Sequence, residues 1–163
     1  MLNSQQLIQE AYPMPINADH FQDFVFTCED YTPVTDASPM FAIDCEMCQT
    51  AVNQSELTRV SVVNERLETL YDTLVKPRNR IVNYLTSLGF SDDLMFHPYV
   101  IDTSVIYNLN GDRIMKPGLK RLSQMFLGKM IQTGHEGHDS IEDATSCMEL
   151  VKLKLQHGIG MCF

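Results

Sequence analysis

The sequence predicts an α/β fold: a meander of short antiparallel strands, a further strand, then helices toward the C-terminal end. Three observations carry this expectation. Apolar and polar residues alternate in "ELTRVSVVNE", the period of a half-buried strand, and similar runs flank it on both sides. The stretch "DSIEDATSCMELVKLKLQHG" instead places apolar residues at steps of three and four, the period of an amphipathic helix. Third, 163 residues with 44% apolar content suffice for one domain with a core of its own.

Taken in order, "LIQEAY" has the makings of a helical turn or two, which "PMPIN" breaks. "FVFTCEDYTPVTDASP" reads as a mixed extended stretch. Phe21, Phe24, Phe26 and Tyr31 suit a lead-in that packs on the domain better than a free linker. Residues 1–40 are therefore expected to be an extension, 41–158 the domain and 159–163 a tail. "MFAIDCEM" is an apolar strand. "ELTRVSVVNE" follows and turns near Asn64-Glu65, and "LETLYDTLVKP" makes a third strand that stops at Pro77. "HPYVIDTSVIY" is expected to be a further strand bounded by Pro98. "PGLKRLSQMFLG" predicts a helix ending at Gly128 with Leu119, Leu122 and Phe126 on one face. The last helix should end at Gly158, with Ile141, Ala144, Met148, Val151 and Leu155 inward. Asp139 and Glu142 stand at capping-box spacing before it. The methionines, including Met125, Met130 and Met148, read as core filling.

Composition removes several function classes. A net charge of −9 argues against nonspecific nucleic-acid binding through a basic face, but not against acids that meet phosphates through metal ions. No run of 18 or more apolar residues appears, so no membrane span is expected. The first residues lack the basic-then-apolar layout of a secretory signal. Five irregularly spaced cysteines (Cys28, Cys45, Cys48, Cys147, Cys162) suit reduced thiols in an intracellular protein. Cys45-x-x-Cys48 lies inside a strand without two further zinc ligands, and a redox pair belongs at a helix start.

The chemistry concentrates in two places. In "FAIDCEM", Asp44 and Glu46 share a strand face, roughly 7 Å apart by strand geometry, with Cys45 opposite. Two carboxylates so spaced can frame oxygen-loving cations such as Mg²⁺ or Mn²⁺. Phe41, Ala42, Ile43 and Met47 make the strand look interior, where unpaired acids are costly. In "GHDSIEDA", His138 precedes the last helix and Asp143 lies in its second turn. That spacing can aim an imidazole and a carboxylate into one cleft. Basic positions (Lys76, Arg78, Arg80; Arg113, Lys116, Lys120, Arg121) could touch a nucleic-acid backbone or simply be solvated.

"FAIDCEM", "HPYVIDTS" and "GHDSIEDA", with "ELTRVSVV", "LVKP", "EAYPMP" and "KPGLKRLSQMFLGKMIQ", resemble the DEDDh 3′–5′ exonucleases, and among them the Rex-type RNA exonucleases. The resemblance covers roughly residues 5–158. It implies an RNase H-like fold with a mixed five-stranded sheet. It also implies two divalent cations (Mg²⁺ or Mn²⁺) held by four acids, a histidine general base, an RNA 3′ end as substrate and nuclear, including nucleolar, residence. Asp44 and Glu46 match the first metal-ligand motif, Asp143 the last, and His138 the base. The fourth acid should open a helix after a further strand, yet only "SLGFSDDLMF" stands in that place. A helix, a strand and a second helix need roughly 35 residues or more. Asp93 fits the missing ligand only in a forced register, and Asp92 fits equally well. Asp102 is a nearby acid that could equally cap a turn. The chain therefore reads as a Rex-type domain with an internal deletion near 85–96, and either a working exoribonuclease or an impaired remnant that binds RNA or a protein partner.

Overall fold

The structure, a computed structural model, describes residues 1–12, 14–15, 24–52, 55–84, 95–108, 111, 115–133 and 138–158. Helix α1 (Ser4–Gln9) opens the chain, closed by a capping box between Asn3 and Gln6. Strand β1 (Val25–Phe26) follows, then β2 (Phe41–Thr50), β3 (Ser55–Asn64), β4 (Thr69–Leu74), β5 (Ile81–Tyr84) and β6 (Met95–Phe96). Helices α2 (Thr103–Ile106), α3 (Leu119–Leu122) and α4 (Ser140–His157) complete the order.

The meander is present as the sequence predicts. One sheet runs β4-β3-β2-β5, every neighbour antiparallel, while β1 and β6 form a separate parallel pair. Among the described residues this sheet has four strands and not the five of a mixed sheet: β5, which the sequence analysis did not single out, takes the outer edge beside β2. "HPYVIDTSVIY" is not a strand. Pro98 offers no N–H to a ladder, and the Asp102 carboxylate accepts from Ser104 N at 2.8 Å, so "TSVI" turns helical.

Helix α3 begins as expected after Pro117-Gly118, then widens into a π-turn over Ser123–Leu127. It stops at Gly128, whose φ of 66° lies where a side chain would be strained. Leu119, Leu122 and Phe126 do share a face, packing with Tyr107 and Leu150. Helix α4 spans the predicted stretch, but two details differ. Asp139 caps Ile141 N, while the Glu142 carboxylate accepts from Gln132 N at 2.9 Å, so no capping box closes. Leu155 is exposed, and Leu150, five residues earlier and not among the expected inward positions, is fully buried. Of the three methionines, only Met148 is in the core; Met125 and Met130 are exposed.

Two apolar clusters hold α4 in place. Ala42 and Val63, cross-strand partners, pack against Ala144 and Met148. On the helix's other flank lie Tyr107, Leu122 and Leu150, with the Tyr107 hydroxyl donating to the Leu150 carbonyl at 2.8 Å. Tyr107→Phe should cost about 1 kcal/mol, read by urea unfolding, because a buried hydrogen bond goes and the ring stays. The sheet's other face is different. Phe41 and Ile43 are each 55% exposed, and Ile43, Val62 and Tyr71 stand in register across three strands. The strand is therefore interior on the Ala42 face alone, because only that face is covered by α4.

The N-terminal segment touches the body at several points. Leu2 and Leu7 are buried, and Leu2 N donates to the Val100 carbonyl at 2.8 Å. The Tyr12 hydroxyl donates to Asp102 at 3.1 Å, and Lys116 pairs with Glu10. Among the described residues, no helix is long and apolar enough to cross a membrane.

Candidate active site

The strand β2 alternation that buries Ala42 against α4 carries Asp44 and Glu46 onto the same face. Helix α4 crosses that face, bringing Asp143 from its first turn, not the second turn that the sequence predicts, and His138 from just before its start. Its N-terminal end is pinned by short polar contacts. The Ser61 and Ser140 hydroxyls lie 2.6 Å apart, both fully buried, and Ser61 also donates to Asp72 at 2.6 Å. Arg59, the cross-strand partner of Glu46, grips Asp72 through two nitrogens at 2.8 and 3.0 Å and reaches Asp139 at 3.3 Å. Strand, helix start and site are thereby tied together.

The three acids burden one another. Burial pushes the Asp44 carboxyl up to about 7, with the Asp143 and Glu46 charges adding and Arg59 opposing. Glu46 is raised chiefly by burial, with His138 drawing it back and Asp143 pushing it further. Asp143, 3% exposed, is raised by burial against hydrogen bonds from Gln132 and His138. His138 is exposed, with Nδ1 3.3 Å from Asp143 Oδ2. Gln132 Nε2 donates to the same oxygen at 2.9 Å.

Two carboxylate oxygens here, Glu46 Oε1 and Asp143 Oδ1, are buried with no hydrogen-bond partner among the described residues. Such atoms are costly unless something positive meets them. As hard anionic donors they fit Mg²⁺ or Mn²⁺. No group of three or more His, Cys, Asp or Glu side chains stands at ligating spacing among the described residues. The chemistry of the two unpartnered oxygens suits such cations, while the described residues do not by themselves form a complete ligand set.

Asp44, Glu46, His138 and Asp143 are thus gathered, while Asp93 and its alternative Asp92 lie outside the described residues. Asp102 is occupied as a cap, both carboxylate oxygens bonded. Among the basic positions, Lys116 holds Glu10 and Lys120 the Gln132 carbonyl; Arg113 lies outside the described residues. Burial pushes the Cys45 thiol up to about 11 and raises Cys48, the opposite of a reactive pair. Sequence reasoning missed Arg59 and Gln132. Arg59 could have been found by continuing the antiparallel register from Asp44 opposite Ser61; Gln132 left no comparable signal.

No family model matches the chain. RNA exonuclease 1 of Saccharomyces cerevisiae is 36% identical over 201 residues, covering 98% of this chain and 35% of that protein. RNA exonuclease 5 of Bos taurus is 38% identical over 177 residues, covering 80% of the chain and 22% of the relative. The chain belongs to the RNA exonuclease family of the DEDD superfamily. It spans about a third of the yeast relative's length and about a fifth of the bovine one. Among solved structures, the Neurospora crassa Pan2 catalytic unit (protease and nuclease domain) superposes with a TM-score of 0.60 at 21% identity, covering 81% of this chain and 29% of that one. The Saccharomyces cerevisiae Pan2 pseudoubiquitin hydrolase-RNA exonuclease module in complex with A7 RNA gives 0.59 at 21% identity, covering 88% and 33%. These likenesses place the α/β domain in the RNase H-like exonuclease fold.

Proposed function

We propose that this chain is the catalytic domain of a metal-dependent 3′–5′ exoribonuclease that trims single-stranded RNA 3′ ends by phosphodiester hydrolysis. The observation that carries the reading is the pair of buried, unpartnered oxygens on Glu46 and Asp143, beside Asp44. Asp44, Glu46 and Asp143 would hold two Mg²⁺ or Mn²⁺ ions, with Asp93 as the fourth ligand. Bound there, the ions supply Lewis acidity toward the attacking water and the leaving 3′ oxygen. The chain's own residues do the rest. With Nδ1–H donating to Asp143, the His138 imidazole keeps the Nε2 lone pair for the proton of the attacking water. Its exposure lets that water reach it, while the buried Asp143 fixes the ring's heading. The RNA-bound Pan2 modules support an RNA strand as the occupant of this fold's cleft. Nuclear residence is part of the same reading, checked by imaging a tagged copy in fractionated cells.

A second reading, a domain that cleaves poorly, is favoured by one specific observation. The yeast match runs over 201 residues, whereas 98% of 163 residues is about 160. The bovine match runs over 177 against about 130, and the human one over 165 against about 126. The surplus is about 40 positions or slightly more each time, which supports one internal segment missing here. The Ile43–Val62–Tyr71 row, with Ile43 and Tyr71 exposed and Val62 half-buried, fits a sheet face that lost its cover.

One assay separates the readings. RNA labelled at its 5′ end, incubated with purified protein and Mn²⁺, should shorten in single-nucleotide steps, and Asp44→Ala should abolish the ladder. Intact RNA alongside a measurable RNA affinity would establish the impaired reading and overturn the first.

A further inference from the structure

We propose that Gln132 is a positioning residue that decides which oxygen of Asp143 is offered to the metal ions. The proposal rests on the metal-site reading above. Gln132 is one of three described residues other than glycine with positive φ, at 55°, a conformation that L side chains adopt at a cost. Three hydrogen bonds hold it there. Its N–H donates to Glu142 Oε2 at 2.9 Å, its carbonyl accepts from Lys120 Nζ at 2.9 Å, and its Nε2 donates to Asp143 Oδ2 at 2.9 Å. The neighbouring Ile131 is buried, so the backbone is anchored on that side as well.

The result is a division of labour between the two oxygens of one carboxylate. Oδ2 faces Gln132 and His138 Nδ1, while Oδ1 has no partner among the described residues. A primary amide suits this task better than a cationic side chain. It donates a directional hydrogen bond without neutralising the carboxylate, so the full negative charge stays for a cation on the far oxygen. It also locks the carboxylate's rotation, which the exposed His138, at 3.3 Å, holds less firmly. Partners of this kind behind a metal ligand commonly carry a factor of 10–100 in metal affinity.

Two variants of the full chain test the assignment by calorimetric titration with Mn²⁺. Gln132→Met keeps the side-chain length and removes the amide. Gln132→Gly also removes it but relieves the positive φ, so it carries the test if the methionine variant folds poorly. The Gly variant should keep the wild-type circular dichroism spectrum and bind Mn²⁺ roughly 10- to 100-fold more weakly. Were Gln132 merely a structural turn residue, Gln132→Gly would bind Mn²⁺ as wild type does, and the assignment would be overturned. Wild-type protein that takes up no Mn²⁺ would instead overturn the metal-site reading itself, and this inference with it.

Discussion

Replacing Asp44 with asparagine should make the metal-free protein more stable at pH 8, not less. The Asp44 carboxyl, ordinarily at 3.8, is pushed up to about 7 in the folded chain. Between those values the folded state holds a proton that the unfolded chain has released, so stability falls as pH rises through that window. Below about 4 both states are protonated and the variant should match wild type. Above 7 the cost is complete, and removing it should gain about 1–2 kcal/mol once solvent screening of this partly exposed group is allowed for. Millimolar Mn²⁺ should reverse the order, stabilising wild type by mass action and leaving Asp44→Asn unmoved. Thermal melts at pH 4.5 and 8, with and without Mn²⁺, read all of this. An asparagine variant less stable than wild type at pH 8 without metal would mean that Asp44 is held by favourable contacts and is not a strained metal ligand.

The second large effect concerns the internal segment that the impaired reading proposes is missing. Grafting the corresponding stretch of yeast RNA exonuclease 1 between Tyr84 and Met95 should raise Mn²⁺-dependent shortening of RNA by roughly a hundredfold or more, since a misplaced catalytic group alone can cost that much. The increase should vanish when Asp44→Ala is added to the graft. Equal rates with and without the graft would show that the chain needs nothing from that region.

Much of this arrangement is legible in the sequence because its periodicities are clean. Val63, buried, and Ser61 alternate with Val60 and Val62, and Ala144, Met148 and Val151 mark one helical stripe, so strand and helix declare themselves. The acids of "FAIDCEM" and "GHDSIEDA" stand out because charge is unexpected in apolar surroundings. What stayed hidden depends on partners distant in sequence. "VIDTSVIY" has strand composition, yet Pro98 and the Asp102 cap override it, and β6 is reduced to two residues beside β1. Gln132 is ordinary in the sequence. Its role emerges only where a left-handed backbone meets Asp143, 11 residues on.

The β2–β3 ladder changes register between Glu46 and Met47: Glu46 faces Arg59, Met47 faces Leu57, and the Thr58 hydroxyl bonds the Glu46 carbonyl at 2.9 Å. Strand β2 is therefore two lengths of ladder joined end to end. The first carries Asp44 and Glu46 beneath α4; the second carries Cys48, Gln49 and Thr50, the residues that pair with β5. Such a bulge leaves Thr58 unpaired in the ladder, bends the strand and adds local twist. The direction in which the acids point is thus set by the length beneath α4, and the pairing with β5 by the other.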